Sequence, residues 1–458
     1  MGILKEIFFE LSKYIFAFLL MYYTYASYRG STIHNENKRR YIYKLQNFIM
    51  FTVHFMGYLI LYLQEENIDY AILYLEQFVF LFVIIAIYDN VYPKASRLLI
   101  NNMCMLMSIG FIMLARLSYD KCVKQFMIAV VGTIIAFFIP WLLKKVRSFR
   151  RFAWLYCIVG LALLVSVLLG SRIFGANLVL TIGVVSVQPA EFVKIIFVMF
   201  IASMFNKSTD FKQIVITTVV AGAHVLILVA SNDLGAALIF FVVYLMMLYE
   251  ATKKTMYLLG GLVAGSVSAC VAYELFSHVR TRVLIWLDPW TYIDDQGYQI
   301  TQSLFSIGMG SWFGVGLCSG MPYKIPVAEK DFMFSAITEE FGVVFSICII
   351  LICLNCLMLM MNIASMCKTN FYRLVAVGLA VTYGFQVFLT VGGVMKLIPL
   401  TGVTLPFVSY GGSSMISSII LFAIINGMYI MRQDEGESNE ADKKTGKVKI
   451  NEKEKNRK

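Results

Sequence analysis

Thirteen apolar runs of roughly 17 to 25 residues, each closed by charges, Gly or Pro, succeed one another along this chain of 458 residues. A bilayer core is crossed by about 20 apolar residues in helical form. The pattern therefore predicts an all-α polytopic membrane protein with about 13 transmembrane helices, near 9–28, 45–64, 70–92, 98–115, 126–143, 153–170, 189–206, 213–231, 234–252, 256–275, 335–361, 373–394 and 413–431. From about 276 to 334 no such run occurs, which leaves one large loop. Apolar residues make up 59% and charged ones only 15%, which excludes a soluble globular domain.

Basic residues choose the orientation. Lys38, Arg39, Arg40 and Lys44, then Lys144, Lys145, Arg147, Arg150 and Arg151, then Lys253 and Lys254 all fall in connections on one side, which the positive-inside rule makes the cytoplasm. An odd number of helices then places the N-terminus and the 276–334 loop outside, and the C-terminal tail inside. The tail, 432–458, is dense in Glu, Lys and Asn and is expected to be disordered. The run from Ile15 to Tyr28 leads into basic residues without a small-residue cleavage pattern, so it is expected to stay as an anchor. A net charge of +11 follows from this topology and does not imply nucleic acid. The nine Cys lie mostly inside apolar runs, the one close pair, Cys353 and Cys356, has no His or further Cys around it to complete a metal site, and they are read as small buried hydrophobes. His54 and His224 are read as packing residues. The stretch Gly308 to Gly320 lacks the Lys-Ser/Thr ending of a phosphate-binding loop. Any chemistry must therefore come from loops, helix ends and the bundle interior.

Four polar features interrupt the apolar pattern. In Gln188-Pro-Ala-Glu191-Phe-Val-Lys194, Pro starts a membrane helix that carries Glu191 and Lys194 on one face; such charges either pair to orient helices or line a watery cavity. The large loop holds Arg280, Arg282, Trp286, Asp288, Trp290, Gln299 and Gln302. It ends in Asp331-Phe-Met-Phe, followed by Glu339-Glu340-Phe-Gly342 at the entrance of a helix. Asp331 is either a cap that favours the helix dipole or a general base for a hydroxyl. Finally, Pro399-Leu-Thr-Gly-Val-Thr-Leu-Pro406-Phe-Val-Ser409-Tyr-Gly-Gly-Ser-Ser414 predicts a re-entrant turn, tolerated at membrane depth only where protein or water satisfies its backbone. Glu76 sits inside an apolar run with no evident partner.

The 399–414 stretch resembles the signature of the SEDS family, whose members include FtsW, RodA and SpoVE. Gln188 to Lys194, Asp233-Leu-Gly-Ala-Ala-Leu, Gly297-Tyr-Gln-x-x-Gln-Ser303 and Asp331-Phe-x-Phe with Glu339-Glu340-x-Gly342 agree in the family's order. The resemblance covers about 98–431 and implies a core of ten helices, with 1–97 an N-terminal extension of three more. Departures include Lys330 before the acid, Ala190 in the Pro-x-Glu motif and Thr390 after Gln386.

The resemblance implies a peptidoglycan glycosyltransferase of the cytoplasmic membrane, polymerising lipid II on its outer face in division, elongation or sporulation. It makes Asp331 the acidic residue needed for polymerisation, taking a proton from the acceptor sugar's 4-hydroxyl. It puts Glu191 and Lys194 in a central cavity, and Arg280, Arg282, Gln299 and Gln302 around the substrate groove, while Lys324, Lys330 and Ser409 complete the expected substrate-binding set. Lipid II, a glycan strand on undecaprenyl diphosphate and a class B penicillin-binding protein are the implied partners. No tightly bound cofactor is expected; Mg²⁺ or another divalent cation would arrive with the substrate's diphosphate. The alternative, a lipid II flippase, would need charges along a crossing path, for which Glu76, Glu191 and Lys194 are the main candidates.

Overall fold

The computed structural model describes residues 2–33, 35–146, 149–168, 171–173, 176–182 and 185–455. Its helices are α1 (Gly2–Thr32), α2 (Glu36–Glu65), α3 (Asp69–Val91), α4 (Arg97–Leu117), α5 (Tyr119–Lys145), α6 (Ala153–Leu168), α7 (Pro189–Lys207), α8 (Phe211–Ala230), α9 (Leu234–Thr252), α10 (Thr255–Leu275), α11 (Ser277–Leu287), α12 (Tyr298–Gly310), α13 (Met333–Met366), α14 (Asn370–Val394) and α15 (Gly412–Lys455). Among the described residues, 12 of these are long and apolar enough to cross a membrane. The expected span at 153–170 is present as the shorter α6, 16 residues or about 24 Å of helix. Arg147, one of the basic residues used to orient the chain, lies outside the described residues.

The all-α membrane bundle has one addition. Between α6 and α7 run three antiparallel strands, β1 (Ser171–Ile173), β2 (Ala176–Ile182) and β3 (Val185–Val187), in the order β1-β2-β3. Leu180 pairs with Val187 and Ile182 with Val185. The segment is rich in β-branched residues, which suit a pleated surface. The helix α15 also continues through the charged tail to Lys455, where the sequence led us to expect no regular structure.

Helix α4 is the axis of the bundle: every residue from Leu98 to Ala115 is buried. The first three helices wrap this axis. α1 packs on α13 and α2, and α2 packs on α4. Polar pins join the layers. Ser27 Oγ donates to Asn102 Oδ1 (2.8 Å), Asn102 Nδ2 to Asn355 Oδ1 (2.9 Å), and the Tyr28 hydroxyl to the Leu351 carbonyl (3.0 Å). Phe16 meets Phe341 edge-on at 5.0 Å. His54 and His224 serve packing: His54 touches Ser108 and the Tyr58 ring, while His224 sits between Phe197 and Phe200.

As an unbroken helix, α13 would be about 51 Å long, far more than the roughly 30 Å of a hydrocarbon core. It is broken at Gly342, whose backbone (φ 87°, ψ 169°) is non-helical. The break frees backbone groups that must be satisfied elsewhere, and a neighbouring loop segment supplies the partners. Val315 and Gly316 N–H donate to the Glu339 and Glu340 carbonyls at 3.0 and 2.9 Å, and Val343 and Val344 N–H donate to the Ser311 and Trp312 carbonyls at 2.9 and 3.1 Å. A Cβ on Gly342 would lie 2.3 Å from Gly314 N, and one on Gly314 (φ +81°) 2.2 Å from the Glu340 carbonyl oxygen. Only glycines allow this crossing. It fixes where the large loop joins the bundle.

Candidate active site

The loop between α14 and α15 folds back into the bundle and gathers the polar groups. Its backbone is satisfied by protein groups, as re-entrant segments require. Leu405 N–H donates to Ser409 Oγ (3.1 Å), Gln125 Nε2 to the Ser409 carbonyl (3.0 Å), and Gly411 N–H to Gln125 Oε1 (3.1 Å). Ser409 thus closes the turn with its hydroxyl. Tyr410 N–H donates to the Glu329 carbonyl (2.7 Å), tying this loop to the segment that carries Asp331. The Glu329 carboxylate is in turn paired with Lys121.

Beneath the loop lies a buried polar network. Lys194 pairs with Glu191 at 2.8 Å and donates to Gln386 Oε1 at 2.7 Å. Glu191 also accepts from Ser417 (2.8 Å), and Gln386 Nε2 donates to the Thr404 carbonyl (3.0 Å). Both charges are almost fully buried, with 7% and 5% of their surface exposed. The pair is thus shared by α7, α14 and α15 and is not a surface contact.

Above it the charges continue. Asp233 caps α9, accepting from Ala236 N–H at 3.0 Å, and lies within electrostatic reach of Glu191, Lys194 and Arg282. Burial raises its pKa above the ordinary carboxylate value, against the opposing pull of that hydrogen bond and the two cations. Arg282 donates to the Thr401 carbonyl (3.3 Å) and stands between the fields of Asp233 and Asp331; burial lowers its pKa, and the two acids oppose that. Asp331 closes the series. Its Oδ2 lies 3.6 Å from where a Cβ on Gly402 would be, so the re-entrant loop, turned here by Gly402 at φ +76°, runs against the carboxylate. Burial raises the Asp331 pKa, with Lys330 and Arg282 pulling it back and Glu329 adding to the rise. A carboxylate held this way is a better proton acceptor than a solvated one.

A second cluster lies on the same face. Gln302 on α12, Lys324 and Glu339 line a cavity of about 500 Å³. Glu339 Oε1 accepts from Met321 N–H (2.6 Å), and Glu340 pairs with Arg116 at 3.1 Å. Each of these two buried glutamates keeps an oxygen, Glu339 Oε2 and Glu340 Oε2, without a partner among the described residues.

The structure therefore sorts the expected site residues. Glu191, Lys194, Arg282, Lys330 and Asp331 form one charged series around the re-entrant loop, whereas Gln302 and Lys324 meet in the second cavity. Arg280 turns away, pairing with Glu274 at 3.6 Å and lying over Tyr273. Gln299 is exposed on α12. Asp233 and Glu339 were legible only as parts of longer motifs. For Asp233 the available signal was an Asp at a helix start two residues before a Gly; the structure places it, half-buried, as the cap, with Gly235 tight against Thr401 and Val403.

Residues 94–434 match the family model FTSW_RODA_SPOVE, described as a cell cycle protein. The chain belongs to the FtsW/RodA/SpoVE family. Among its relatives is the peptidoglycan glycosyltransferase RodA of Mycobacterium tuberculosis (strain ATCC 25618 / H37Rv), 33% identical over 369 residues that cover 73% of this chain and 77% of RodA. The FtsW of Neisseria gonorrhoeae (strain NCCP11945), named a probable peptidoglycan glycosyltransferase, is 27% identical over 67% of this chain and 75% of its own length. In fold the chain is similar to a protein solved for the structural coordination of polymerization and crosslinking by a peptidoglycan synthase complex. The TM-score is 0.63 at 24% identity, covering 74% of this chain and 98% of that one. It is similar too to the rod shape determining protein RodA of Thermus thermophilus, with TM-score 0.55 at 22% identity over 73% of this chain and 96% of that one. The family match begins at residue 94, so α1 to α3 stand outside it.

Proposed function

We propose that this family member is a peptidoglycan glycosyltransferase that polymerises lipid II, with Asp331 as general base. The observation that carries the reading is the placement of Asp331. It is a carboxylate of raised pKa in the field of Arg282, against the re-entrant loop at Gly402. In this mechanism Asp331 takes the proton of the acceptor sugar's 4-hydroxyl as that oxygen attacks the anomeric carbon of the lipid-linked strand. The new glycosidic bond forms as the bond to undecaprenyl diphosphate breaks. Arg282 and Lys330 lie on the side where leaving-group charge develops, and any Mg²⁺ belongs to the substrate's diphosphate. Holding both lipids against the bundle supplies rate through orientation.

The basic connections, among them Lys144, Lys145, Lys253 and Lys254, support a cytoplasmic assignment for the face opposite Asp331, so that polymerisation takes place outside. The likeness to a chain of a peptidoglycan synthase complex supports a class B penicillin-binding protein as partner. The flippase alternative loses one of its three charges, since Glu76 lies on an exposed face of α3 and not with Glu191 and Lys194. The test is incubation of the purified full chain with fluorescent lipid II, with and without the partner. Glycan ladders and release of undecaprenyl diphosphate are expected. Transfer of lipid II across liposome membranes without ladders overturns the reading.

A further inference from the structure

On the face opposite Asp331, the ends of three helices surround a cavity of about 440 Å³ that the polymerase chemistry does not use. Arg150 and Arg151 enter it from the turn before α6, Lys207 and Asn206 from the last turn of α7, and Gln213 from the first turn of α8. Among the described residues lining it none is acidic, and none of the three cations has an ion pair among the described residues. The α6 N-terminus adds first-turn amides with no partner inside the helix. Gln213 Nε2 is held by the Met204 carbonyl (3.3 Å), so the three cations and the helix N-terminus make the anion site, and the volume falls within the roughly 300–1,000 Å³ of small-ligand pockets.

The surroundings select a lipid. Helix α6, about 24 Å long, is shorter than the hydrocarbon core, so its basic end sits at headgroup depth or draws the bilayer thinner there. Trp154 lines the cavity's rim, and Trp154 and Leu155 are 55% and 54% exposed on the side that faces acyl chains. Trp is the side chain enriched at this depth. We infer that this cavity binds the phosphodiester headgroup of an anionic phospholipid, held by Arg150, Arg151 and Lys207 with its acyl chains along α6. Such basic pockets between membrane helices hold anionic headgroups by charge and hydrogen bonding together.

The test uses the purified full chain in neutral detergent, with bound lipid counted by native mass spectrometry as phosphatidylglycerol or phosphatidylcholine is added. Wild type is expected to retain one phosphatidylglycerol in preference to phosphatidylcholine. The Arg150→Gln/Arg151→Gln/Lys207→Gln variant should lose that lipid's affinity by roughly 10- to 100-fold. A variant of equal charge change elsewhere on the same face, Lys38→Gln/Arg39→Gln/Lys44→Gln, should keep it. If the pocket variant melts early, Lys207→Glu alone replaces it. Equal retention of the two lipids, or equal loss in both variants, overturns the site; displacement by millimolar inorganic phosphate overturns the lipid in favour of a soluble phosphate ester. None of these readouts depends on lipid II polymerisation, so this inference and the polymerase reading fail separately.

Discussion

Replacing Gly342 by Ala puts a methyl group where the structure has none to spare. The backbone there, φ 87° and ψ 169°, lies in a region essentially reserved for glycine, and an L-residue held in it costs about 1–3 kcal/mol. The new Cβ would also stand 2.3 Å from Gly314 N and 2.5 Å from both Phe313 C and Trp312 O, all backbone atoms that cannot rotate away. Relief requires the 311–316 segment to move off, which breaks the four hydrogen bonds it exchanges with Glu339, Glu340, Val343 and Val344. At about 0.5–1.5 kcal/mol each, the combined loss is about 3–9 kcal/mol, comparable with the whole stability of many domains. The assay is a thermal melt of purified Gly342→Ala, with Gly260→Ala as control, because a Cβ at Gly260 meets nothing within 4 Å. Gly342→Ala should melt roughly 5–15 °C lower and lose activity with the displaced loop, while Gly260→Ala should stay within about 1 kcal/mol of wild type. Gly342→Ala with wild-type melting would refute the glycine crossing as the joint between loop and bundle.

Further outcomes follow from the charges. Because burial raises the Asp331 pKa, the folded state holds that proton more tightly than the unfolded chain; the stabilisation is complete at acid pH and is lost as pH rises through the raised pKa. Asp331→Asn should therefore melt no lower than wild type at pH 7, with the gap closing below the ordinary carboxylate range, and wild-type activity should fall on acidification at a pH above that range. Arg116→Gln leaves Glu340, which has no exposed surface, facing no cation; a loss of about 3–5 kcal/mol is expected in melts, whereas a change under 1 kcal/mol would argue against the pair. In a double-mutant cycle, Glu191→Gln and Lys194→Met should show coupling of at least about 1 kcal/mol, since both charges share one buried network. Phe16→Ala removes the edge contact with Phe341 beside the broken helix and should lower the melting temperature by the equivalent of about 3 kcal/mol, which would tie the N-terminal helices to the loop joint.

The helices were legible because bilayer thickness imposes a length on every apolar run, and no tertiary detail is needed to find them. The break in α13 was not, since nothing in the run from Phe341 onward marks Gly342 as more than a glycine inside a helix, and composition does not register a single non-helical residue. The β1–β3 strands were hidden in the same way, too short and too far from alternation to separate from a loop. At the site, Glu191 and Lys194 were visible from their helical spacing, and Asp331 from the motif around it. Arg280 and Arg282 were taken together, yet two positions on a helix point to nearly opposite faces, and only Arg282 reaches the re-entrant loop. Ser409 was legible as a hydroxyl in the motif, but its closing of the turn through Leu405 N–H was not, because that contact depends on how the loop at membrane depth satisfies its backbone. The pinning of α1 through Ser27, Asn102 and Asn355 joins residues hundreds of positions apart, beyond the reach of any local pattern.

The role of Asp331 is tested most directly by lipid II polymerisation with wild type and Asp331→Asn, assayed side by side at pH 7 with the same partner and Mg²⁺, each checked for its melting temperature. The account predicts glycan ladders from wild type and none from an Asp331→Asn protein that melts at the same temperature or higher. Ladders of similar yield from the folded variant would contradict it.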